Sequence, residues 1–247
     1  MKLTIVGNGA MALSIAQGLP KEYAIEVVGR DEQKLQTFAN KIGCKYALLD
    51  GYNIEQKDII FAVKPHVLED VAKHLVGKAE VIYSVLAGVS IEKLSLIQAN
   101  NYIRTMPNIG ATYGSSTTTI TGSSNYKQRA QKLFSAIGKT YWVEDENQLD
   151  IATAIAGCGP AFLALVAEGM SDGAVKCGLK RELANELVAS NFYSFAPLIE
   201  NEHPAIIKDK ITSPAGTTIE GVEALEDHKV RYAFMQAVLS AYARLKR

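Results

Sequence analysis

The sequence predicts an α/β protein in two parts: a doubly wound, mainly parallel sheet domain over residues 1–146 and an all-α domain over residues 147–247. Three observations predict it. A glycine-rich turn follows a short β-branched run at the N-terminus. Strand and helix patterns then alternate up to about residue 145. Beyond Gln148 the strand patterns stop and helical periods remain.

Lys2-Leu3-Thr4-Ile5-Val6 has the composition of a buried first strand. It runs directly into Gly7-Asn8-Gly9-Ala10-Met11-Ala12 and then into an apolar helix through Leu13, Ile15, Ala16 and Leu19. This is G-x-G-x-x-A, a permitted form of the Rossmann dinucleotide fingerprint, at the strand–turn–helix junction the mechanism requires. Gly7 makes the tight turn. Gly9 lets the backbone approach a pyrophosphate at the helix N-terminus, and Ala12 lets the helix pack close to the strand.

Ile25-Glu26-Val27-Val28 reads as the second strand, followed by Gly29-Arg30-Asp31. An acid at this strand end binds the ribose 2′-hydroxyl of NAD, whereas an arginine suits the 2′-phosphate of NADP. Arg30 comes first and favours NADP. Asp31 keeps NAD open, although it serves better as the N-cap of a helix from Glu32 to Ile42.

Further strands are expected over Asp58–Val63, Ala79–Tyr83, Tyr102–Thr105, Ser116–Thr121 and Lys139–Val143. Open α/β sheets bind ligands beyond the carboxyl ends of their strands. That places Ala62-Val63-Lys64-Pro65-His66 near a cofactor or substrate, with Pro65 stopping the strand. Lys64 is equally well read as a solvated lysine, and His66 as a helix-start residue without a role. Ser84 to Ser90, with Ala87 and Gly88, offers small residues against which a ring can lie. Asn108, after Arg104-Thr105-Met106-Pro107, either hydrogen-bonds a carboxamide or makes a turn.

The polar run Asp145-Glu146-Asn147 is the expected boundary. Helices are expected over 149–175, 180–199, 215–226 and 229–246, with Val230, Phe234, Val238, Ala241 and Leu245 on one face of the last. Gly157-Cys158-Gly159-Pro160 interrupts the first of them, for close helix approach or for a kink beside a substrate. Cys158 reads as an apolar filler. The helical part is small for a core of its own and rich in alanine and glycine, so a second copy of the chain is expected to cover it.

Ile211-Thr212-Ser213-Pro214-Ala215-Gly216-Thr217-Thr218 reads as a helix start able to hold an anion. Ser213 suits the N-cap and Pro214 the first turn. The first-turn N–H groups lack intrahelical partners, and the dipole favours a carboxylate. Thr217 and Thr218 bring hydroxyls to the rim. The same residues also make an ordinary capped helix.

Lysine plus arginine equals aspartate plus glutamate, 26 each, so no basic excess attracts nucleic acid or an anionic membrane. No stretch is expected to span a bilayer, and the N-terminus reads as a strand rather than a signal peptide. Cys44, Cys158 and Cys177 form an odd set without metal-ligand spacing, which fits a reduced cytoplasmic protein. The four histidines lie far apart, and no metal site is expected.

Together these motifs resemble the pyrroline-5-carboxylate reductase family over nearly the whole chain. Gly7 to Ala12 is similar to the family's cofactor loop, Ala62-Val63-Lys64-Pro65 to its AVKP element, and Ala87-Gly88 to its AG pair. Arg104 to Asn108 matches R-x-M-P-N, and Gly157 to Phe162 is similar to G-S-G-P-A-Y. The most specific match runs from His203-Pro204 to Glu226 and holds S-P-x-G-T-T-I followed by G-x-x-x-L-E. There are departures. Ala215 stands in place of glycine, and Ile109-Gly110 in place of Thr-Pro. Cys158 and Phe162 replace serine and tyrosine and so remove two hydroxyls. The chain is also short around residues 45–57, where Asn53 matches a cofactor-contacting asparagine.

The resemblance implies an NAD(P)H-dependent reductase of a small-molecule imine: hydride transfer from NADPH, or NADH, to 1-pyrroline-5-carboxylate, giving L-proline in the last step of its biosynthesis. It implies that Ser213, Gly216 and Thr217 hold the substrate carboxylate, that Thr218 partners the ring nitrogen, and that Lys64 stands at the reacting centre. The remaining motif residues hold the cofactor. It implies a homodimer through the helical half, and larger rings of dimers occur in the family. The competing readings are another Rossmann imine or β-keto reductase, and a non-catalytic NADP-binding dimer.

Overall fold

In the computed structural model, which describes residues 1–246, strands β1 (Lys2–Val6), β2 (Ala24–Gly29), β3 (Lys45–Leu48), β4 (Asp58–Phe61), β5 (Ala79–Ser84), β6 (Ala99–Met106), β7 (Ser116–Gly122) and β8 (Gly138–Trp142) form one sheet. Their order is β8-β7-β6-β5-β4-β1-β2-β3. The chain therefore winds outward in both directions from β1, as the doubly wound class requires. Pairing is parallel from β3 to β6. β7 runs antiparallel to β6, with Arg104 opposite Thr121, and β8 is parallel to β7. The link from β6 to β7 contains one short turn of helix, Ile109–Tyr113. A parallel return needs a longer crossover.

Period-2 alternation divides the core between the two sheet faces. Leu3, Ile5, Ile60 and Tyr83 pack on one face under α1 (Ala10–Gly18), α2 (Glu32–Ile42) and α5 (Lys127–Ser135). Val6, Ile59, Phe61 and Ile82 pack on the other, with Leu68 and Val71 of α3 (Leu68–Ala72) and Leu94 of α4 (Ile91–Leu94). Helix α2 has the span and cap expected of it, since the Asp31 carboxylate accepts from the Lys34 N–H at 3.1 Å.

Several elements went unpredicted, among them β3, helix α9 (Pro204–Ile211) and a separate two-stranded parallel sheet of Tyr52–Asn53 with Leu75–Val76. β3 is an edge strand whose Lys45, Tyr46 and Leu48 are exposed, so it shows no buried alternation. Helix α9 starts at a histidine cap and carries Lys208, Asp209 and Lys210, which break up the apolar period. The polar run at 145–147 is the start of α6 (Glu146–Ala156), capped by Asp145 through the Gln148 N–H at 2.7 Å. After the interruption at Gly157–Cys158 comes α7 (Gly159–Lys176). The expectation that no stretch could span a bilayer fails on one segment. Counted across that two-residue turn, the run Glu146–Lys176 is, by length and composition, long and apolar enough to cross a membrane.

The described residues group into two compact units: Met1–Cys158 with the segment from Ala241 onward, and Gly159–Ser240. The second holds α7, α8 (Arg181–Asn201), α9, α10 (Thr217–Asp227) and most of α11 (Val230–Leu245). Its buried residues are few: Ser171, Ala184, Val188 and Ile207, with none in α10 or α11. Leu165, Tyr193 and Leu239 are more than half exposed. An apolar surface of this extent on one chain marks an association face.

Candidate active site

The register of the sheet builds a cleft in the first unit. Val6 stands opposite Val28 on one side and Phe61 on the other, so β1, β2 and β4 end level. The loops that leave them, at Gly7, Gly29 and Ala62, are therefore neighbours. The Gly7 N–H donates to the Val28 carbonyl at 2.8 Å, and the Ala62 N–H to that of Val6 at 2.8 Å. The space beyond the strand ends measures about 700 Å³. Gly7 to Met11, Arg30, Ala62 to Val67, Val85 to Ala87, and Met106-Pro107 line it.

The turn that opens this cleft needs its glycines. Gly7 has φ +116°, and a Cβ there would lie 2.4 Å from the Ala62 carbonyl oxygen. Gly9 is the N-cap of α1, and a Cβ on it would meet nothing within 4 Å. No side chain caps this helix. Its first-turn N–H groups thus face an open space with a positive dipole end, which suits a pyrophosphate. The residues present fit a dinucleotide.

Beyond the end of β2 Arg30 lines the cleft, and its Nη1 donates to Asp70 Oδ2 at 2.8 Å. Asp31 does not compete for a ribose: its carboxylate caps α2, and the bonds from Lys34 hold it below the usual carboxylate range. Lys64, Pro65 and His66 are exposed along the opposite wall.

Several expected cofactor contacts lie elsewhere. Asn108 is buried, and its side chain is bonded at both ends: Oδ1 accepts from the Gly110 N–H and Nδ2 donates to the Ala156 carbonyl, each at 2.9 Å. It makes a turn and ties that loop to the end of α6, and it lies outside the cleft lining. Asn53 is outside the cleft lining, and its Oδ1 accepts from the Glu55 N–H at 2.8 Å. Gly88 is turned away from the lining; a Cβ there would stand 3.1 Å from the Leu245 carbonyl oxygen. Ala12 is buried and serves helix–strand packing, as the fingerprint requires.

In the helical unit the anion motif folds differently from expectation. Helix α10 begins at Thr217 with Gly216 as its N-cap. Ser213 is therefore not the cap, and Pro214 precedes the helix. Ser213 to Gly216 form a turn closed by the Gly216 N–H on the Ser213 carbonyl at 3.1 Å. Pro214 takes the second place of that turn, and Ala215 the third at φ +52°. That conformation favours glycine, so Ala215 is strained. The Gly216 N–H is consumed by the turn. The N–H groups of Thr217 and Thr218, at the start of α10, have no intrahelical partner.

Sequence reasoning passed over three contributors. Cys158 and Thr153 line the cleft at the end of α6. Cys158, read as a filler, shares that wall with Gly157. Asp70, 40 positions from Arg30, carries no local signal of its role. Among the described residues no group of His, Cys, Asp and Glu is placed to hold a metal ion.

A family model described as pyrroline-5-carboxylate reductase dimerisation matches residues 146–247, and one described as NADP oxidoreductase, coenzyme F420-dependent, matches residues 2–88. The chain is 37% identical to a pyrroline-5-carboxylate reductase of Synechocystis, covering 99% of this chain and 97% of that protein. It is 32% identical to one from Thermus thermophilus, covering 99% and 97%. The Streptococcus pyogenes 1-pyrroline-5-carboxylate reductase structure superposes with a TM-score of 0.89 at 28% identity, covering 100% of this chain and 98% of that one. A Plasmodium falciparum pyrroline carboxylate reductase solved with NADP bound gives 0.83 at 27% identity, covering 100% and 98%.

Proposed function

This chain belongs to the pyrroline-5-carboxylate reductase family, and from that premise we propose how its residues divide the work. The activity is reduction of 1-pyrroline-5-carboxylate to L-proline with NAD(P)H. The observation that carries this reading is a relative matched end to end, joined to an open glycine turn at the head of the sheet.

When bound, the nicotinamide cofactor supplies the hydride. Gly7 to Met11 hold the pyrophosphate on the free N–H groups of α1. Arg30 takes the 2′-phosphate, which favours NADPH over NADH. Ala62, Val63, Pro65 and Ala87 give the rings a small-residue wall. Lys64 brings a positive charge to the rim.

The substrate carboxylate sits at the start of α10, on the N–H groups of Thr217 and Thr218. The turn from Ser213 to Gly216 shapes its seat, and the Ser213 hydroxyl helps hold it. The Thr218 hydroxyl then bonds the ring nitrogen. A threonine is a weak acid, so it orients the imine and passes on a proton from water rather than supplying one itself. Protonation of the nitrogen makes the imine carbon a better hydride acceptor. Turnover requires the two ligands in contact with water excluded.

The helical half is the dimerisation region, and its exposed apolar helices support a homodimer. We place the functional boundary at 146/147, although α6 packs with the sheet unit. A ring of dimers is the larger assembly to look for, by light scattering. The three free thiols support a reducing, cytoplasmic setting.

The deciding experiment is NADPH oxidation with three substrate classes: pyrroline-5-carboxylate, pyrroline-2-carboxylate and 3-hydroxy acids, the last assayed in reverse. Preference for the first by kcat/KM is expected. Preference for either other class, or binding of NADPH without turnover, would overturn the assignment.

A further inference from the structure

We infer that Asp70 sets the cofactor preference by competing with a 2′-phosphate for Arg30; the inference rests on the reading of Arg30 given above. The Arg30 guanidinium lines the cleft and donates to Asp70 Oδ2 at 2.8 Å. Both side chains are more than half exposed, so the pair itself is weak and readily exchanged. The neighbouring carboxylates are engaged elsewhere. Asp31 caps α2, and Glu69 pairs with Lys93 at 3.3 Å. Asp70 is thus the acid that meets whatever Arg30 binds.

The two residues pull in opposite directions. A phosphate on the guanidinium carries close to two negative charges and comes within a few ångströms of the Asp70 carboxylate, which repels it. A ribose 2′-hydroxyl carries no charge and can donate to that carboxylate. Arg30 therefore favours NADP(H) and Asp70 favours NAD(H). The acid that keeps NADH usable is supplied by α3, not by the end of β2.

The test is calorimetric titration of the full-length protein with 2′,5′-ADP and with 5′-ADP, fragments that bind without turnover. Asp70→Asn is expected to move the affinity ratio roughly tenfold toward 2′,5′-ADP, the scale of removing one like charge beside an anion. The shift should shrink as salt rises. An unchanged ratio, or a move toward 5′-ADP, would overturn the inference. Arg30→Ala separates the two readings. If it abolishes the preference for 2′,5′-ADP while Asp70→Asn does nothing, only the role of Asp70 fails. If Arg30→Ala leaves the ratio alone, the assignment of Arg30 fails as well.

Discussion

Arg104 at the end of β6 and Asp150 in α6, 46 positions apart, meet in a buried ion pair of 2.8 Å. Arg104 is 2% exposed and also donates to Glu146 at 3.1 Å, while its Nε has no partner among the described residues. Asp150 accepts in turn from Lys246 at 3.1 Å, and Asn147 from the Tyr242 hydroxyl at 2.7 Å. The network fastens α6 and the C-terminal segment to the strand end that carries Met106 and Pro107 into the cleft.

Asp150→Ala would leave Arg104 with a buried charge met by Glu146 alone. Breaking a buried pair from one side costs about 3–5 kcal/mol. Urea unfolding should show a loss of this size. A loss under about 1 kcal/mol, the range of an exposed pair, would mean that solvent already reaches the site.

Gly7 and Gly9, two positions apart in one turn, can be told apart by one methyl group each. Gly7→Ala places a Cβ 2.4 Å from a carbonyl oxygen at φ +116°. It should cost about 2–4 kcal/mol, from backbone strain and overpacking together. Gly9→Ala meets nothing within 4 Å. It should leave Tm unchanged and raise KM for NADPH about tenfold or more, since the methyl occupies the approach to the pyrophosphate. Equal effects of the two changes on Tm would contradict this account of the turn.

Thr218→Ala should lower kcat/KM about 100-fold, the low end for a positioned proton-transfer group. Helix α10 should survive, because the Thr218 hydroxyl is not its cap. Steady-state kinetics beside a circular-dichroism melt would check both halves. Full activity in the variant removes Thr218 from the mechanism.

Asp58, buried at the start of β4, has its carboxyl pushed above the usual range by desolvation, against the pull of Arg129. The folded state then holds this proton more tightly than the unfolded state. Stability therefore falls as pH rises from the unfolded value of 3.8 through the raised folded value. Asp58→Asn lacks this dependence, so it should gain on the parent across that window and run parallel to it above. Unfolding free energies in acid buffers would show this. A difference between the two proteins that stays constant with pH would refute it.

Local rules carried much of this protein. A β-branched run, two glycines and an alanine at fixed offsets determined the first strand, the turn and the helix after it. Asp31 announced α2, and the apolar period announced α11. β3 and α9 escaped because neither shows a clean burial pattern: one lies on an exposed edge, the other is broken by charges. Of the expected cofactor residues, those that depend on backbone conformation could be singled out along the chain, since glycine admits a positive φ that other residues avoid and proline fixes φ near one value.

What the chain could not announce is how side chains are spent. Asn108 and Asn53 have the right chemistry for a ligand, yet Asn108 is bonded at both ends of its amide and the Asn53 carbonyl accepts from its own turn. The Gly216 N–H is used by the turn before it, and Ser213 falls three places short of the cap. Asp70 meets Arg30 only because α3 packs beside the end of β2. Periodicity and φ preferences act over a few residues, so they can be read in order along the chain. Hydrogen-bond partners are chosen by proximity in space, and only the folded sheet, with β1, β2 and β4 ending level, decided which groups remain free for a ligand.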